Sequence, residues 1–341
     1  MIDFRYHLVS IVAIFLALAL GLLLGSTVLR PYALKGLQAV SKRQQQQIDS
    51  YIQANKQLQG QVNADNQWAQ ANAERVLGQL LEGQYVVLVL APGAPGSVTT
   101  GVSQALGLAG AKVTGQMQLQ PTFFDTSPTG SQKLAQVAEH LAPPTLPLVG
   151  PAQAQASELI ANMVMTQDGP GNPVAGLKDP ATAAVLNGLQ SEGFLTTTGN
   201  PWDRATLAVV IIPATPASTN DTDPASQALV TLAQQLKRFG QGTVVAGSIS
   251  GSGPGSAIDL MRTGGQTPHL SSVDNADTPP GQIVVAQALF DLMHGKSGNY
   301  GVAPTADNGG PSPAPSPSPS PTPSATSLAA GTKVGHPAGT P

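Results

Sequence analysis

Residues 85–90 read YVVLVL, an unbroken apolar run rich in β-branched side chains. Such runs are typical of strands buried on both faces, as in parallel sheets, whereas a strand with one face in water alternates apolar and polar residues. Two further runs have the same character, LAVVII at 207–212 and TVVA at 243–246. We therefore predict three central strands of a mostly parallel sheet, with a more polar strand candidate at 112–119.

Helical patterns lie between these strands and are bounded by glycine and proline. Asp223-Pro224 is typical of an N-cap residue followed by proline in the first helical turn, and Gly240 ends that helix. Similar patterns cover 98–109, 131–141, 153–164, 179–191 and 278–294. The alternation predicts a layered α/β domain over residues 83–302, with helices on both faces of the sheet.

Upstream of the domain, residues 8–29 contain no charged side chain. At 1.5 Å per residue this run is about 33 Å long, and a hydrocarbon core is about 30 Å thick. The apolar part of a signal peptide is shorter, about 7–15 residues. We predict an uncleaved single-span membrane anchor over residues 1–30. The positive-inside rule, taken literally, puts the domain in the cytoplasm, because four basic residues follow the span: Arg30, Lys35, Lys42 and Arg43.

Residues 31–82 form a Gln-rich segment with helical periodicity, which we interpret as a long polar stalk. Its apolar residues follow 3-4-3-4 spacing, the pattern of a coiled-coil seam, and Asn55 takes one seam position. The seam consists of Ile48, Tyr51, Asn55, Leu58 and Val62. Two interpretations stay open: a homo-oligomer, most simply a parallel dimer, that pairs through residues 34–80, or a lone polar helix.

Residues 303–341 are dominated by Pro, Ser, Ala, Thr and Gly, including PSPAPSPSPSPTPS at 311–324. A segment of this composition cannot bury a core, so we predict a disordered tail with polyproline II character. Tails of this kind are common on surface-exposed proteins. The tail therefore indicates an exported body, in conflict with the basic residues that follow the span.

Composition excludes several functional classes. The chain has no cysteine, which rules out disulfide scaffolds, cysteine-ligated zinc sites and cysteine nucleophiles. Its net charge of -3 provides no basic field, so we expect no nucleic-acid partner.

Two glycine-rich loops follow predicted strands, APGAPGS at 91–97 and a second at 247–255. Loops in this position bind anions in many α/β sheets. Neither loop contains a Walker A sequence or a G-x-G-x-x-G motif, and GSISG at 247–251 has Ile249 where a nucleophile elbow needs serine. We predict a protein that is not an enzyme, with loops that are either ordinary turns or a small-ligand site.

Soft metal ions such as Cu(I) favour thioether and imidazole ligands where thiolate is missing. The candidate ligands are scattered rather than clustered: Met163, Met165, Met293, His294 and His269. Each also fits a structural role, in a core or at a helix end where His294 complements the dipole. Asp259, Asp274 and Asp277 form a carboxylate cluster with His269 or serve as turn and cap residues.

Two regions, the N-terminus and residues 271–301, together resemble a known family. The opening MIDFRYHLVSIVAIFLALALGLLLGS is similar to the start of the mycobacterial copper transport (MctB-like) family, and so are SSVDNADTPPGQIVVAQAL at 271–289 and GNYG at 298–301. The resemblance covers nearly the whole chain except the Pro/Ser tail. It implies an actinobacterial envelope protein with an exported body, connected with copper efflux, and copper as the transported ion rather than a cofactor.

Two functional hypotheses follow. The first is a membrane protein of copper transport or copper homeostasis. It is either a tethered copper-handling body, which fits the sequence more easily, or a component of an oligomeric channel, because one helix alone cannot line a pore. The second is a tethered extracytoplasmic α/β module that binds a small ligand or an envelope partner and has no direct role with copper.

Overall fold

The computed structural model describes residues 4–167, 169, 172–214, 223–265 and 269–311. The predicted α/β class and its mostly parallel sheet are confirmed. The helices are α1 (Phe4–Leu77), α2 (Gly96–Leu108), α3 (Pro128–Leu141), α4 (Ala152–Val164), α5 (Pro180–Ser191), α6 (Pro224–Phe239), α7 (Ala257–Thr263) and α8 (Pro279–Met293). The strands are β1 (Tyr85–Leu90), β2 (Lys112–Leu119), β3 (Leu195–Gly199), β4 (Leu207–Ile211), β5 (Gly242–Ala246), β6 (Leu270–Val273) and β7 (Asn299–Tyr300).

The seven strands form one sheet in the order β3-β2-β1-β4-β5-β6-β7. All neighbours are parallel except β3, which pairs antiparallel with β2 at one edge. From β1 the chain moves outward to β2 and β3, then returns to β4 and continues in the opposite direction. Strand order therefore reverses between β1 and β4, and open α/β sheets bind ligands at the carboxyl ends of the strands beside such a reversal.

Both faces of the sheet are buried, which explains the continuous apolar strands. On β1, Val87 and Val89 face a core built with α3 to α7. Val86 and Leu88 face the other core, built with α2, α8 and the end of α1. Each central strand is thus covered on both sides by helices, as the YVVLVL run predicts.

Helix α1 runs from Phe4 to Leu77 and crosses from the segment predicted as a membrane anchor (1–30) into most of the segment predicted as a stalk (31–82). Among the described residues, Arg5–Ser26 is the segment long and apolar enough to cross a membrane, with a mean hydropathy of 2.8. The last turns of α1 belong to the domain, because Ala69, Ala73 and Leu77 are buried in the core beside α2 and α8. The pairing of two such helices stays a prediction.

At the other end, the described chain packs on the domain as far as residue 311. Asn308 forms a bridge with Tyr300, and a Cβ on Gly310 would contact Val284 of α8. These residues fall within the segment 303–341 that we predict as a tail. The remainder of that segment, 312–341, lies outside the described residues.

Candidate functional site

The two glycine-rich loops meet at the carboxyl ends of β1, β4 and β5. Pro213 follows β4 and lies between them: a Cβ on Gly93 would stand 3.6 Å from Pro213 Cβ, and a Cβ on Gly251 would collide with the Pro213 carbonyl oxygen. Gly93 has φ of 78°, a conformation that favours glycine. The loops that the sequence singles out are therefore neighbours at the reversal of strand order.

A crevice of about 210 Å³ opens beside Pro213. Proline, alanine and phenylalanine residues line it together with residues at the start of α6. The lining residues are Ala91, Pro92, Pro121, Phe124, Pro213, Asp223, Ala225, Ser226 and Leu229. Ligand pockets usually measure about 300–1,000 Å³, so this crevice fits a small and mainly apolar group.

Asp223 is the charged group that borders the crevice, and its Oδ2 is already engaged. That oxygen accepts hydrogen bonds from Ser226 N at 3.0 Å and Ser226 Oγ at 2.9 Å, which caps α6. The aspartate therefore fixes the start of the helix, as the Asp-Pro pattern predicts. A ligand in the crevice would therefore be bound mainly through apolar contacts.

The carboxyl end of β6 is filled by a buried ion pair. Arg262 Nη1 donates to Asp274 Oδ2 at 2.8 Å, and both side chains are almost completely buried. The same guanidinium donates to Ser272 Oγ at 2.9 Å and to the Tyr300 carbonyl oxygen at 2.9 Å. Asp274 also accepts from Val302 N at 2.7 Å. This cluster fastens the chain after β7 to the sheet.

Ser272 and Asp274 come from SSVD and Tyr300 from NYG, both within the 271–301 region that carries part of the family resemblance, whereas Arg262 lies outside that region. Asp274 is thus a structural residue, and Asp259 is another, since its Oδ2 accepts from Gly255 N at 3.0 Å beside the start of α7. Asp277 is exposed in the turn before α8. His269 precedes β6, at the opposite end of the strand from Asp274. The structure therefore does not join these aspartates and His269 into one site.

The five candidate metal ligands lie in separate places. Met163 and Met165 are buried at the end of α4, in the core formed with α3 to α7. Met293 packs against the core on the other face of the sheet. Among the described residues, no group of three or more His, Asp or Glu could hold a metal ion.

The two histidine candidates are exposed. His294 Nδ1 lies 2.8 Å from the Phe290 carbonyl oxygen and must donate to it, so Nε2 is the nitrogen left for a ligand. Its ring also contacts the Phe290 ring at a tilt of 46°, with 4.3 Å between ring centroids. His269 has φ of 61° in the turn that leads into β6.

Two polar cavities were not predicted from the sequence. One, of about 280 Å³, lies beside Arg204, which is buried and pairs with Asp179 at 2.7 Å. Burial raises the pKa of Asp179, but hydrogen bonds from Arg204 and the Ala181 N–H outweigh it, and the net pKa is lowered. Arg204 also donates to the Asn162 and Met165 carbonyl oxygens, so this arginine joins the end of α4 to the start of α5.

The other polar cavity, of about 520 Å³, lies beside β7 and the end of α8. Tyr300 lines it together with Asp291 and Asp307. Burial raises the pKa of Tyr300, and the two carboxylates raise it further.

Known proteins resemble this chain over almost its whole length. The family model described as "Copper transport outer membrane protein, MctB" matches residues 1–311. The protein named Copper transporter MctB of Mycobacterium tuberculosis (strain ATCC 25618 / H37Rv) is 28% identical, over 88% of this chain and 96% of that protein. Its namesake in Mycobacterium leprae (strain TN) is 30% identical, over 89% of this chain and 96% of that protein.

These relatives are named as transporters, and the apolar segment Arg5–Ser26 fits a membrane location. The match includes the α1 helix, the sheet with its crevice and the Arg262–Asp274 cluster, and it stops at residue 311. The chain belongs to the MctB family of copper transport proteins.

Proposed function

We propose that this chain is a membrane-anchored protein of copper transport or copper homeostasis in the actinobacterial cell envelope. The observation that carries the proposal is the family match over residues 1–311, together with relatives named as copper transporters that align over 96% of their length. Copper is then a substrate, not a resident cofactor. The candidate Met residues lie on both faces of the sheet, and the candidate Met and His residues do not form one cluster among the described residues.

The proposed topology is a single span with the α/β body exported. Arg5–Ser26 supports the span, and the Pro/Ser-rich tail supports the export of the body, against the basic residues after the span. Because the chain has no cysteine, Ser50→Cys provides a unique thiol on the exposed part of α1. A membrane-impermeant maleimide should label it in intact cells. Labelling only after lysis would place the body inside.

The proposal also includes several copies acting together. One helix cannot surround a pore, so movement of an ion through this protein alone requires several spans. Self-association through residues 34–80 would bring these spans together. The more specific proposal is that the chain is a component of an oligomeric channel.

Deletion of the gene tests the copper proposal. We expect greater copper sensitivity and higher cell copper, both restored by the intact chain. A matched chain without residues 1–30 should fail to restore them, because the body loses its anchor. Unchanged sensitivity and unchanged cell copper in the deletion strain would overturn the proposal.

A second candidate function is a tethered module that binds a small ligand. It is favoured by one observation, the meeting of both glycine-rich loops at Pro213 beside the crevice. The same deletion strain separates the two candidates. Normal copper content combined with an envelope defect that the intact chain repairs would support the ligand module.

A further inference from the structure

An apolar stripe on α1 has no covering within the chain. The side chains of Ile48, Tyr51, Leu58 and Val62 are between 50% and 73% exposed. They follow 3-4-3-4 spacing with Asn55 in the middle of the stripe. Contiguous apolar surface on an otherwise polar helix marks a contact with another molecule.

The same face of α1 continues into the α/β body. At about 100° per residue, Asn55, Val62, Ala69 and Ala73 lie within about 40° of one another around the helix. Ala69 and Ala73 are only 4% and 8% exposed, because they pack in the core beside α2 and α8. One helix face is therefore free as far as Val62 and is covered by the chain's own body from Ala69 onward.

Charge favours a second copy of this chain as the occupant of the stripe. The positions that flank the stripe carry no charge, so two identical stripes meet without repulsion. These positions hold Gln47, Ile52, Ala54, Gln59 and Gln61. The nearby charged residues Asp49 and Lys56 lie on the far side of the helix.

Asn55 and the membrane span specify how the copies pair. A single Asn in a coiled-coil seam favours a matching Asn across two identical helices in register. Arg5–Ser26 would hold every copy the same way up, so the helices run parallel. A paired segment this short is marginal on its own, and confinement to one membrane raises its effective concentration.

We propose that two copies pair as a parallel coiled coil through residues 48–62 of α1, and that the pairing stops between Val62 and Ala69. Above that point each helix packs into its own body. The proposal rests on the proposed membrane anchoring and is independent of the copper function. It shortens the predicted oligomer segment of residues 34–80 at both ends.

Single cysteines in the full-length chain test the pairing in its native membrane. Diamide serves as the oxidant, because copper-based oxidants would supply the proposed substrate. We expect a disulfide-linked dimer for Ile48→Cys, Asn55→Cys and Val62→Cys. Gln46→Cys and Gln53→Cys are matched controls at nearly the same heights on the opposite face, and they should stay monomeric.

The upper limit of the pairing is tested with Ala69→Cys, a small change at a residue covered by the body. This variant should stay monomeric, whereas a coiled coil through residue 80 would cross-link it. Absence of dimers at positions 48, 55 and 62 overturns the proposal. Reaction of these thiols with a maleimide would then show that the stripe is uncovered, and lack of reaction would show that a different molecule covers it. Dimers in the strain that carries the variant chain, combined with normal copper handling in the deletion strain, would refute the copper function alone.

Discussion

The carboxyl end of β6 and the carboxyl ends of β1 and β4 lie on the same edge of one parallel sheet, yet the chain treats them differently. At β6, Asp274 is completely buried and is bound by Arg262 and by the N–H groups of Val302 and Ala303. At β1 and β4, Pro92 and Pro213 lack N–H donors and leave a crevice. Where the polar groups at a strand end are bonded within the chain, as at β6, the residues there stabilise the fold. Where a strand end borders an open crevice, as at β1 and β4, a ligand can bind.

The largest expected effect on stability is at the carboxyl end of β6. Asp274→Ala leaves the buried Arg262 guanidinium without its carboxylate and removes an acceptor from two N–H groups. Breaking a buried ion pair by removing one partner costs about 3–5 kcal/mol. Denaturant unfolding of the purified full-length chain should show a loss of this size in the free energy of unfolding.

Asp277→Ala is the matched control, three residues away and exposed. Surface substitutions of this kind usually stay within about 0.5 kcal/mol of wild type. Equal effects of the two variants would show that the residues at the β6 end do not stabilise the fold, and the comparison between the two strand ends would then fail.

The next prediction tests whether burial of the arginine determines how much an ion pair contributes to the stability of the fold. Asp179→Asn removes the charge that faces buried Arg204, and hydrogen bonds to charged groups contribute about 1.5–3 kcal/mol. Glu158→Gln is the control, because its partner Arg238 is exposed, and such pairs contribute about 0–1 kcal/mol. Thermal unfolding of both variants at neutral pH measures the difference.

The pH dependence of Asp179→Asn has a definite sign. The pKa of Asp179 is lower in the folded chain than its ordinary value of 3.8. Its contribution to stability is therefore complete above about pH 3.8 and is lost as the pH falls through the lowered pKa. The gap between wild type and Asp179→Asn should narrow only below about pH 3.8. A gap that narrows between pH 7 and 5 would contradict this assignment.

The sequence predicts the centre of the sheet better than its edges. The β1, β4 and β5 runs are apolar because helices cover both of their faces, so composition alone identifies them. The edge strand β3 reads LTTTG, and Leu195 is its one buried residue. The serines of β6 are buried because Ser272 bonds to Arg262 and Asn299, and neither partner is near in sequence.

The same limit applies to the candidate site. The glycine-rich loops are visible as sequence patterns, but their meeting at Pro213 depends on the order of the strands. Pro121 and Phe124 enter the crevice from a short 3-10 helix with no distinctive pattern. Asp274 stands out only through the family resemblance, because its partners lie between 12 and 29 residues away along the chain.

A smaller effect on stability is expected when a larger side chain fills the crevice at the carboxyl ends of β1 and β4. Ala225→Phe projects a ring into the crevice from the half-buried first turn of α6. Because the crevice is empty space, the cost should stay below the about 1–3 kcal/mol of overpacking a core. If the crevice is the functional site, the folded variant should fail to restore the deletion strain.

Gln227→Phe is the control for Ala225→Phe, since it adds the same ring on an exposed position of the same helix turn. It should restore the strain fully. Full restoration by Ala225→Phe, with an unchanged unfolding curve, would show that the open strand end is only a gap between loops.

The smallest effect is expected away from both strand ends, at His294→Gln. His294 is exposed, so stability should change by no more than about 0.5 kcal/mol. Its free Nε2 has Met293 beside it in sequence, but the Met293 side chain packs into the core, and Met163 and Met165 lie on the opposite face of the sheet. We therefore expect unchanged copper resistance in the restored deletion strain. Lost resistance in a chain that unfolds like wild type would make the end of α8 a metal site, separate from both strand ends of the comparison.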